Sequence, residues 1–211
     1  MCFAVPARGE TLDSVVASVG YRAITEHDVM AEYHFEQFLE SKSPAGVPGQ
    51  EERQALLKRL ISQTLLAEQM RTPAREPKNG QANAEATLKS VRAKFSSQQA
   101  YQAALQALGM TEQQVLKRLE LYQRTLQMIN NRLRPSALPD PEEVATYYKN
   151  TFVPEYAKEH SGAPPPLDSV RGQIREILVQ KKMNELLDKW LDRLKSTHRV
   201  TIHADGTETQ G

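Results

Sequence analysis

The sequence predicts a mainly α-helical fold of about six helices, with a small β-sheet formed by strands near its two ends. Apolar residues recur every three or four positions through most of the 211 residues, which is the spacing of one helix face. Short β-branched or alternating runs stand at residues 15–24 and 198–203. An isolated two-stranded hairpin is marginal in water, so we expect the last strand to join the first two.

The first elements are two strands that lead into a helix. Residues 15–19 are rich in valine, Gly20 supplies the backbone freedom of a turn, and Ile24 belongs to the second strand. Thr25 can cap the following helix with its hydroxyl, and Asp28 places a carboxylate in the first turn.

The middle of the chain consists of helices separated by polar or proline-rich breaks. After a break at 41–49, a wide apolar stripe runs from Leu56 to Met70, and residues 71–83 are predicted to form a loop. Short helices follow at 84–95 and up to Leu108, where Gly109 is the expected stop.

Thr111 caps the longest regular segment, which Pro135 and Pro139 are expected to end. This segment is the fifth predicted helix, α5. Its apolar residues alternate steps of four and three, and we call them the α5 seam: Val115, Leu119, Tyr122, Leu126, Ile129 and Leu133. Asp140 and Pro141 then start a further helix in the expected way.

The remaining chain predicts an irregular segment at 151–166, a long helix capped by Asp168 through about Lys195, and a closing strand. We therefore divide residues 15–203 into a terminal module (15–70 plus 168–203) and a helical arm (84–153). Residues 1–14 are expected to be a disordered or processed N-terminus, and residues 204–211 a disordered tail.

Composition excludes several classes of protein. The chain has 27 basic and 26 acidic residues, whereas a nucleic-acid-binding protein normally shows a basic excess. No apolar run approaches the roughly 20 residues of a transmembrane helix. Cys2 is the only cysteine, so we expect no internal disulfide and no thiolate metal site.

Candidate catalytic and metal-binding residues are few. His27 and His34 can share a helix face, but no third ligand stands at a metal-binding spacing. Glu142 and Glu143 fit the first turn of a helix better than acid–base catalysis. The sequence has no nucleophile elbow, phosphate-binding loop or dinucleotide fingerprint. We predict a protein that is not an enzyme and uses no metal and no cofactor.

Residues 1–8 are unusual for the start of a folded domain. Val5 and Ala7 precede Arg8 in a small-x-small pattern, as at the end of a secretion segment and its processing site. An ordinary disordered terminus or a cloning remnant explains the same residues equally well.

Four motifs, taken in order, resemble the SurA-like extracytoplasmic chaperones, the group that includes the PrsA and PpiD foldases. They are the helix entry ITEHDV at 24–29, ALQALGMT at 104–111, PEEVATYY at 141–148 and the closing strand VTI at 200–202. The resemblance covers most of residues 15–203. It implies a periplasmic, ATP-independent chaperone that holds unfolded or newly translocated polypeptides, such as outer-membrane or secreted proteins.

One departure from that family is large. Its members usually carry one or two parvulin-type prolyl isomerase domains after the Tyr-Tyr helix. Here only residues 151–166 separate that helix from the last one, and a folded domain needs roughly 50 residues or more. The resemblance therefore implies the chaperone part without an isomerase domain.

Aromatic and thioether side chains on the helices are the candidate peptide-binding residues. Such groups adapt to varied apolar ligands, and we expect roughly a third of them to face an open groove. The candidates are Tyr33, Phe35, Phe38, Met70, Phe95, Tyr101, Met110, Tyr122 and Met128.

Two alternatives remain open. The chain can be a non-catalytic scaffold or dimerisation module derived from a foldase, or a prolyl isomerase with residual activity. A homodimer is also plausible, with terminal elements exchanged between chains.

Overall fold

The computed structural model describes residues 14–70 and 80–203. In chain order the elements are β1 (Val15–Val19), β2 (Arg22–Thr25), α1 (Glu26–Leu39), α2 (Gln50–Met70), α3 (Gly80–Lys94), α4 (Gln98–Leu108), α5 (Glu112–Ala137), α6 (Pro141–Tyr147), a π-helical turn (Tyr148–Phe152), α7 (Val153–Glu159), α8 (Leu167–Thr197) and β3 (Val200–Ile202). The predicted mainly α fold with a small sheet is confirmed. No helix within these ranges is long and apolar enough to cross a membrane.

The sheet joins the beginning and the end of the described chain. All strands are antiparallel in the order β2-β1-β3, so the central strand β1 pairs with both of the others. Val19 lies opposite Arg22 on one side and Val200 on the other. Gly20 makes the tight turn with a φ of 59°. The prediction that the closing strand completes the N-terminal hairpin is confirmed.

Three predicted helix starts are confirmed by their hydrogen bonds. Thr25, Thr111 and Asp140 each form a capping box, in which the cap side chain and the side chain three residues later bond to each other's backbone N–H. Ser97 accepts from the backbone N–H of Ala100. Gly109 ends α4 in the left-handed conformation with a φ of 67°.

Three boundaries differ from the prediction. Helix α3 begins at Gly80 rather than Ala84, because Gln81, Ala82 and Asn83 are exposed and this turn needs no large apolar residue. Helix α5 continues through Pro135 to Ala137, since a proline in the last turn removes only one hydrogen bond. Helix α8 begins at Leu167 without a side-chain cap, and Asp168 instead pairs with Arg171.

The segment predicted to be irregular, 151–166, is helical as far as Glu159. In an α-helix Pro154 would lack the bond to the carbonyl of Asn150, and its ring would clash there. The chain widens directly before it into a π turn, in which the N–H of Val153 donates to the carbonyl of Tyr148. This turn lets α6 and α7 run on as one continuous helical segment.

Within the described part of the chain, apolar side chains form three cores. The terminal core comprises the inner face of the sheet, α2 and the C-terminal halves of α5 and α8, with Leu56, Leu65 and Trp190 among its buried members. The arm core is formed by α1, α3, α4 and the N-terminal half of α5 around Phe38 and Tyr101. The satellite core consists of Val144, Val170 and Ile174 with the residues packed against them.

Helices α1 and α5 belong to two cores each. Helix α1 buries Val29 in the terminal core and Phe38 in the arm core. Helix α5 does the reverse, with Val115 in the arm core and Leu133 in the terminal core. The two cores are therefore tied together by two continuous helices rather than by loops.

The division into terminal module and helical arm stays a prediction. The expectations for residues 1–13, 71–79 and 204–211 lie outside the described residues.

Candidate functional site

The α5 seam is interrupted in its middle. Val115 and Leu119 are buried in the arm core, and Ile129 and Leu133 are buried in the terminal core. Between them Tyr122 keeps 52% of its surface exposed and Leu126 keeps 42%. Val115, Tyr122 and Ile129 are spaced seven apart, so all three lie on nearly the same helix face. The apolar stripe is continuous, but its central turn is open to solvent.

Leu121 precedes Tyr122 in the same turn of α5 and keeps 49% of its surface exposed, so it widens the exposed apolar surface around the helix. We call Leu121, Tyr122 and Leu126 the α5 saddle. An exposed apolar patch on a stable helix indicates a binding surface when it is contiguous rather than scattered. The saddle lies where α5 passes from one core to the other.

Polar contacts anchor α5 on both sides of the saddle. The hydroxyl of Thr125 lies 3.7 Å from the sulfur of Met70, near the C-terminal end of α2. The amide of Gln123 donates to the hydroxyl of Thr87 on α3 at 3.4 Å. Both α3 and the end of α2 therefore lie against α5 at the level of the saddle.

A buried charge lies one turn before the saddle. Glu32 on α1 is only 5% exposed, and its carboxylate accepts from Arg118 on α5 and from the amide of Gln63 on α2. The guanidinium of Arg118 also lies 4.0 Å from the ring centroid of Phe35. Helices α1, α2 and α5 thus meet at one satisfied carboxylate between the terminal and arm cores.

A second polar contact lies at the edge of the arm core, between Tyr101 of α4 and Glu112 at the start of α5. The hydroxyl of Tyr101 donates to Glu112 at 2.8 Å, and the guanidinium of Arg92 lies 5.4 Å from the tyrosine ring. Burial, together with the bond to Glu112 and the charge of that carboxylate, raises the pKa of Tyr101 well above its usual range. The phenol therefore stays protonated and acts as a structural donor.

The nine predicted peptide-binding residues are distributed over two cores and the saddle. Tyr122 is the one that lies in the saddle, and for all nine a role in peptide contact stays a prediction. Three of the others are buried in the arm core, namely Phe35, Phe38 and Tyr101, and Phe95 and Met110 pack against that core. Met128 is buried in the terminal core, and Tyr33 and Met70 pack against it.

Sequence reasoning did not select Leu121 and Leu126 as site residues. Leu126 occupies the same seam as the buried Leu119 and Leu133, and the spacing is identical. No signal in the sequence separates the covered turns from the open one, because which helices pack there depends on the tertiary structure.

A shallow depression of about 450 Å³ lies beside α6. Its lining combines polar side chains, among them Asp140 and Asn150, with Tyr147 and Leu178. Lys182 pairs with Glu143 at its edge at 2.6 Å, and this hydrogen bond lowers the pKa of the carboxyl group. The depression is open to solvent, and acidic side chains stand at its edge.

Within residues 14–70 and 80–203, no group of three or more histidine, cysteine, aspartate or glutamate side chains could hold a metal ion. Comparison with protein-family models found none that matches this chain, and no curated protein matches it either. The functional proposal therefore depends on the residues and their geometry.

Proposed function

We propose that this protein is an ATP-independent extracytoplasmic chaperone of the SurA-like type, without a parvulin domain, that holds unfolded polypeptides. The observation that carries the proposal is the α5 saddle, where Tyr122 and Leu126 continue a core-forming seam into solvent. The order of sequence motifs that resembles this family supports it independently.

The mechanism is binding without bond chemistry. Leu121, Tyr122 and Leu126 offer an aromatic ring and two branched aliphatic groups, which accept many apolar side chains with little geometric selection. Each contact is weak, and ordering a flexible client costs free energy, so a bound segment dissociates without a nucleotide. Unfolded clients aggregate through their exposed apolar side chains. Binding of those side chains to the saddle would compete with the contacts between client molecules.

The interval between α7 and α8 supports the absence of an isomerase domain. The chain passes from Glu159 to Leu167 in a short connection, and the preceding residues are helical. A folded domain of roughly 50 residues cannot fit there. In this proposal the protein has no catalytic activity, and its clients are unfolded outer-membrane or secreted proteins in the periplasm.

The test is suppression of aggregation. A chemically denatured model protein is diluted with an equimolar amount of this protein, and light scattering is followed. We expect clear protection by the wild type and a several-fold loss for the double variant Tyr122→Ser/Leu126→Ser. The matched control is Val47→Ser/Leu138→Ser, which removes two exposed apolar side chains elsewhere (76% and 47% exposed).

The outcomes separate the candidate functions. Equal protection by both double variants would remove the saddle from the proposal, and no protection by the wild type would favour a scaffold or dimerisation module. Acceleration of a proline-limited refolding reaction at catalytic concentration would favour residual isomerase activity. The location is tested separately, by the genomic residues upstream of Cys2 and by cell fractionation of the native protein.

A further inference from the structure

The strand β3 forms one edge of the sheet, and its outer side carries unpaired backbone groups. Arg199 accepts a backbone hydrogen bond from the β1–β2 turn, and His203 donates one to β1. Because the direction alternates along a strand, the N–H and C=O of Thr201 point to β1, whereas those of Val200 and Ile202 point away from it. No strand within residues 14–70 and 80–203 pairs on that outer side.

The side chain of Ile202 is uncovered at the same edge. Ile202 lies opposite Ala17 in the register, and Ala17 is completely buried in the terminal core. Paired residues direct their side chains to the same face of a sheet, so Ile202 belongs to the core face. Val200, on the same face, packs against the terminal core. Ile202 nevertheless keeps 59% of its surface exposed, so an apolar side chain of the core face is left without cover.

The opposite edge, at β2, offers less to a further strand. The N–H of Thr25 donates to the carboxylate of Asp28 at 2.9 Å, and the next residue, Glu26, donates to the carbonyl of Ser14. The chain then enters α1, which leaves Ala23 as the residue of β2 with free outward-facing backbone groups. Strand addition is therefore favoured at β3 rather than at β2.

An antiparallel copy of β3 matches both the backbone and the side chains of this edge. When Thr201 of the two copies lie opposite each other, Val200 of each copy faces Ile202 of the other, and each such pair exchanges two backbone hydrogen bonds. Each exposed Ile202 then lies beside the half-buried Val200 of the second copy. A strand of arbitrary sequence would satisfy the backbone groups without supplying this apolar neighbour.

We propose that two copies of this protein associate through β3, antiparallel and centred on Thr201, to form one continuous sheet. Each β3 keeps its pairing with β1 of its own chain, so this dimer requires no exchange of terminal elements. The contact is twofold symmetric and therefore closes at two copies. It covers only three residues of each strand, and interfaces this small are weak and transient. This dimer is independent of the holdase function, because it uses no residue of the α5 saddle.

A cysteine at the twofold axis tests the register. Residues of a non-hydrogen-bonded antiparallel pair have Cα atoms about 4.5 Å apart, a distance that a disulfide spans. In a Cys2→Ser background under mild oxidation, we expect Thr201→Cys to yield about tenfold more disulfide-linked dimer than Ala23→Cys. Ala23 is the matched control, because both residues are exposed and lie opposite Ser18 in the register. Non-reducing electrophoresis measures the yield, and circular dichroism establishes that each variant is folded.

Sedimentation equilibrium measures the association without a cross-link. We expect the full chain to show a monomer–dimer equilibrium with a dissociation constant of about 0.1–1 mM, as for a small interface. Ile202→Lys should weaken it by about tenfold or more, because an ammonium group replaces the apolar contact with Val200 of the second copy. The matched control is Val47→Lys, at a position 76% exposed, which should leave the equilibrium unchanged.

Three results would overturn the proposal. They are equal cross-linking of Thr201→Cys and Ala23→Cys, a wild type that stays monomeric at about 1 mM, and an unchanged equilibrium after Ile202→Lys. If the wild type is monomeric but Thr201→Cys captures an unfolded polypeptide that carries a single cysteine, the edge accepts a foreign strand instead of a second copy.

Discussion

Glu32 and Arg118 are 86 positions apart in the sequence and form an ion pair between the terminal core and the arm core. The carboxylate is buried, and Gln63 satisfies its second oxygen at 3.2 Å. Charges are costly to bury unless they are paired and hydrogen-bonded. The pair therefore favours one relative placement of α1 and α5, since other placements leave the buried carboxylate without an opposite charge.

Removing one member of this pair should destabilise the protein strongly. We expect Arg118→Met to lower the free energy of unfolding by about 3 kcal/mol, because Glu32 becomes an uncompensated buried charge. The double variant Glu32→Met/Arg118→Met should recover much of that loss. Urea unfolding followed by circular dichroism measures both.

The control is Arg134→Met, which breaks the more exposed pair with Glu176. An exposed pair contributes at most about 1 kcal/mol. If Arg118→Met and Arg134→Met lower the free energy of unfolding equally, burial does not strengthen the contribution of the pair between Glu32 and Arg118.

The raised pKa of Tyr101 predicts a loss of stability at alkaline pH. The folded state favours the neutral phenol, so this contribution is complete below the ordinary tyrosine pKa of about 10. Above that pH the unfolded chain releases the proton and the folded chain does not, so stability falls. The slope approaches about 1.4 kcal/mol per pH unit for this group.

Unfolding free energies of the wild type and Tyr101→Phe between pH 8 and pH 11 test this. The variant loses the bond to Glu112 and should be less stable at pH 8, but its stability should fall less steeply above pH 10. Parallel curves for the two proteins would contradict the prediction.

Two glycines predict opposite responses to alanine. Gly109 adopts a φ of 67° at the end of α4, where alanine is strained, so Gly109→Ala should cost about 1 kcal/mol. Gly172 lies inside α8 with open space around the position of an added Cβ. Gly172→Ala should stabilise by about 0.5–1 kcal/mol, because alanine favours the helix. Thermal unfolding of the two variants measures both signs, and a shared sign would contradict the assignment.

The pairing of β3 with β1 predicts that proline substitutions at two adjacent positions of β3 destabilise the protein to different extents. Gly20 donates to Arg199 and His203 donates to Val16, so the alternation of the ladder directs the N–H of Thr201 towards β1. The N–H of Ile202 points to the open edge. We expect Thr201→Pro to destabilise by about 1 kcal/mol more than Ile202→Pro. Denaturant unfolding compares them, and a larger effect at Ile202 would place the strand in another register.

The sequence was informative where local chemistry decides. Thr25, Thr111 and Asp140 cap helices because a short polar side chain can reach the free amides of the first turn, and Gly109 stops one because only glycine turns left without strain. These features need no knowledge of the rest of the chain. The third strand of the sheet is predictable because an isolated two-stranded hairpin is only marginally stable in water.

Proline was a less reliable guide to boundaries. The sequence predicts a helix end at Pro135 and irregular chain around Pro154, whereas Pro135 lies inside α5 and Pro154 lies in α7 after the π turn. A proline costs little where the last turn is ending or where a wider turn precedes it. Both compensations depend on backbone geometry that the residue types do not reveal.

The site depends most on tertiary structure. The pairing of Glu32 with Arg118 joins two helices that are distant in sequence. Glu32 interrupts the buried face of α1 between Val29 and Phe35, but nothing in α1 alone identifies the partner of its carboxylate. The exposure of Tyr122 likewise depends on where two cores end. Periodicity identifies the apolar face of α5, but the packing of α1, α2 and α3 decides which turns of that face remain open.

The central place of β1 in the sheet has a consequence for the order of folding. Its partner β3, together with Trp190 and Leu194 of the terminal core, is synthesised after the other described elements of the fold, so loop closure across more than 180 residues must precede this pairing. The arm core draws only on residues 35–119 and can consolidate while the ribosome is still making α8. The nascent chain should therefore acquire its arm first, and its two ends should come together only after α8 has been made.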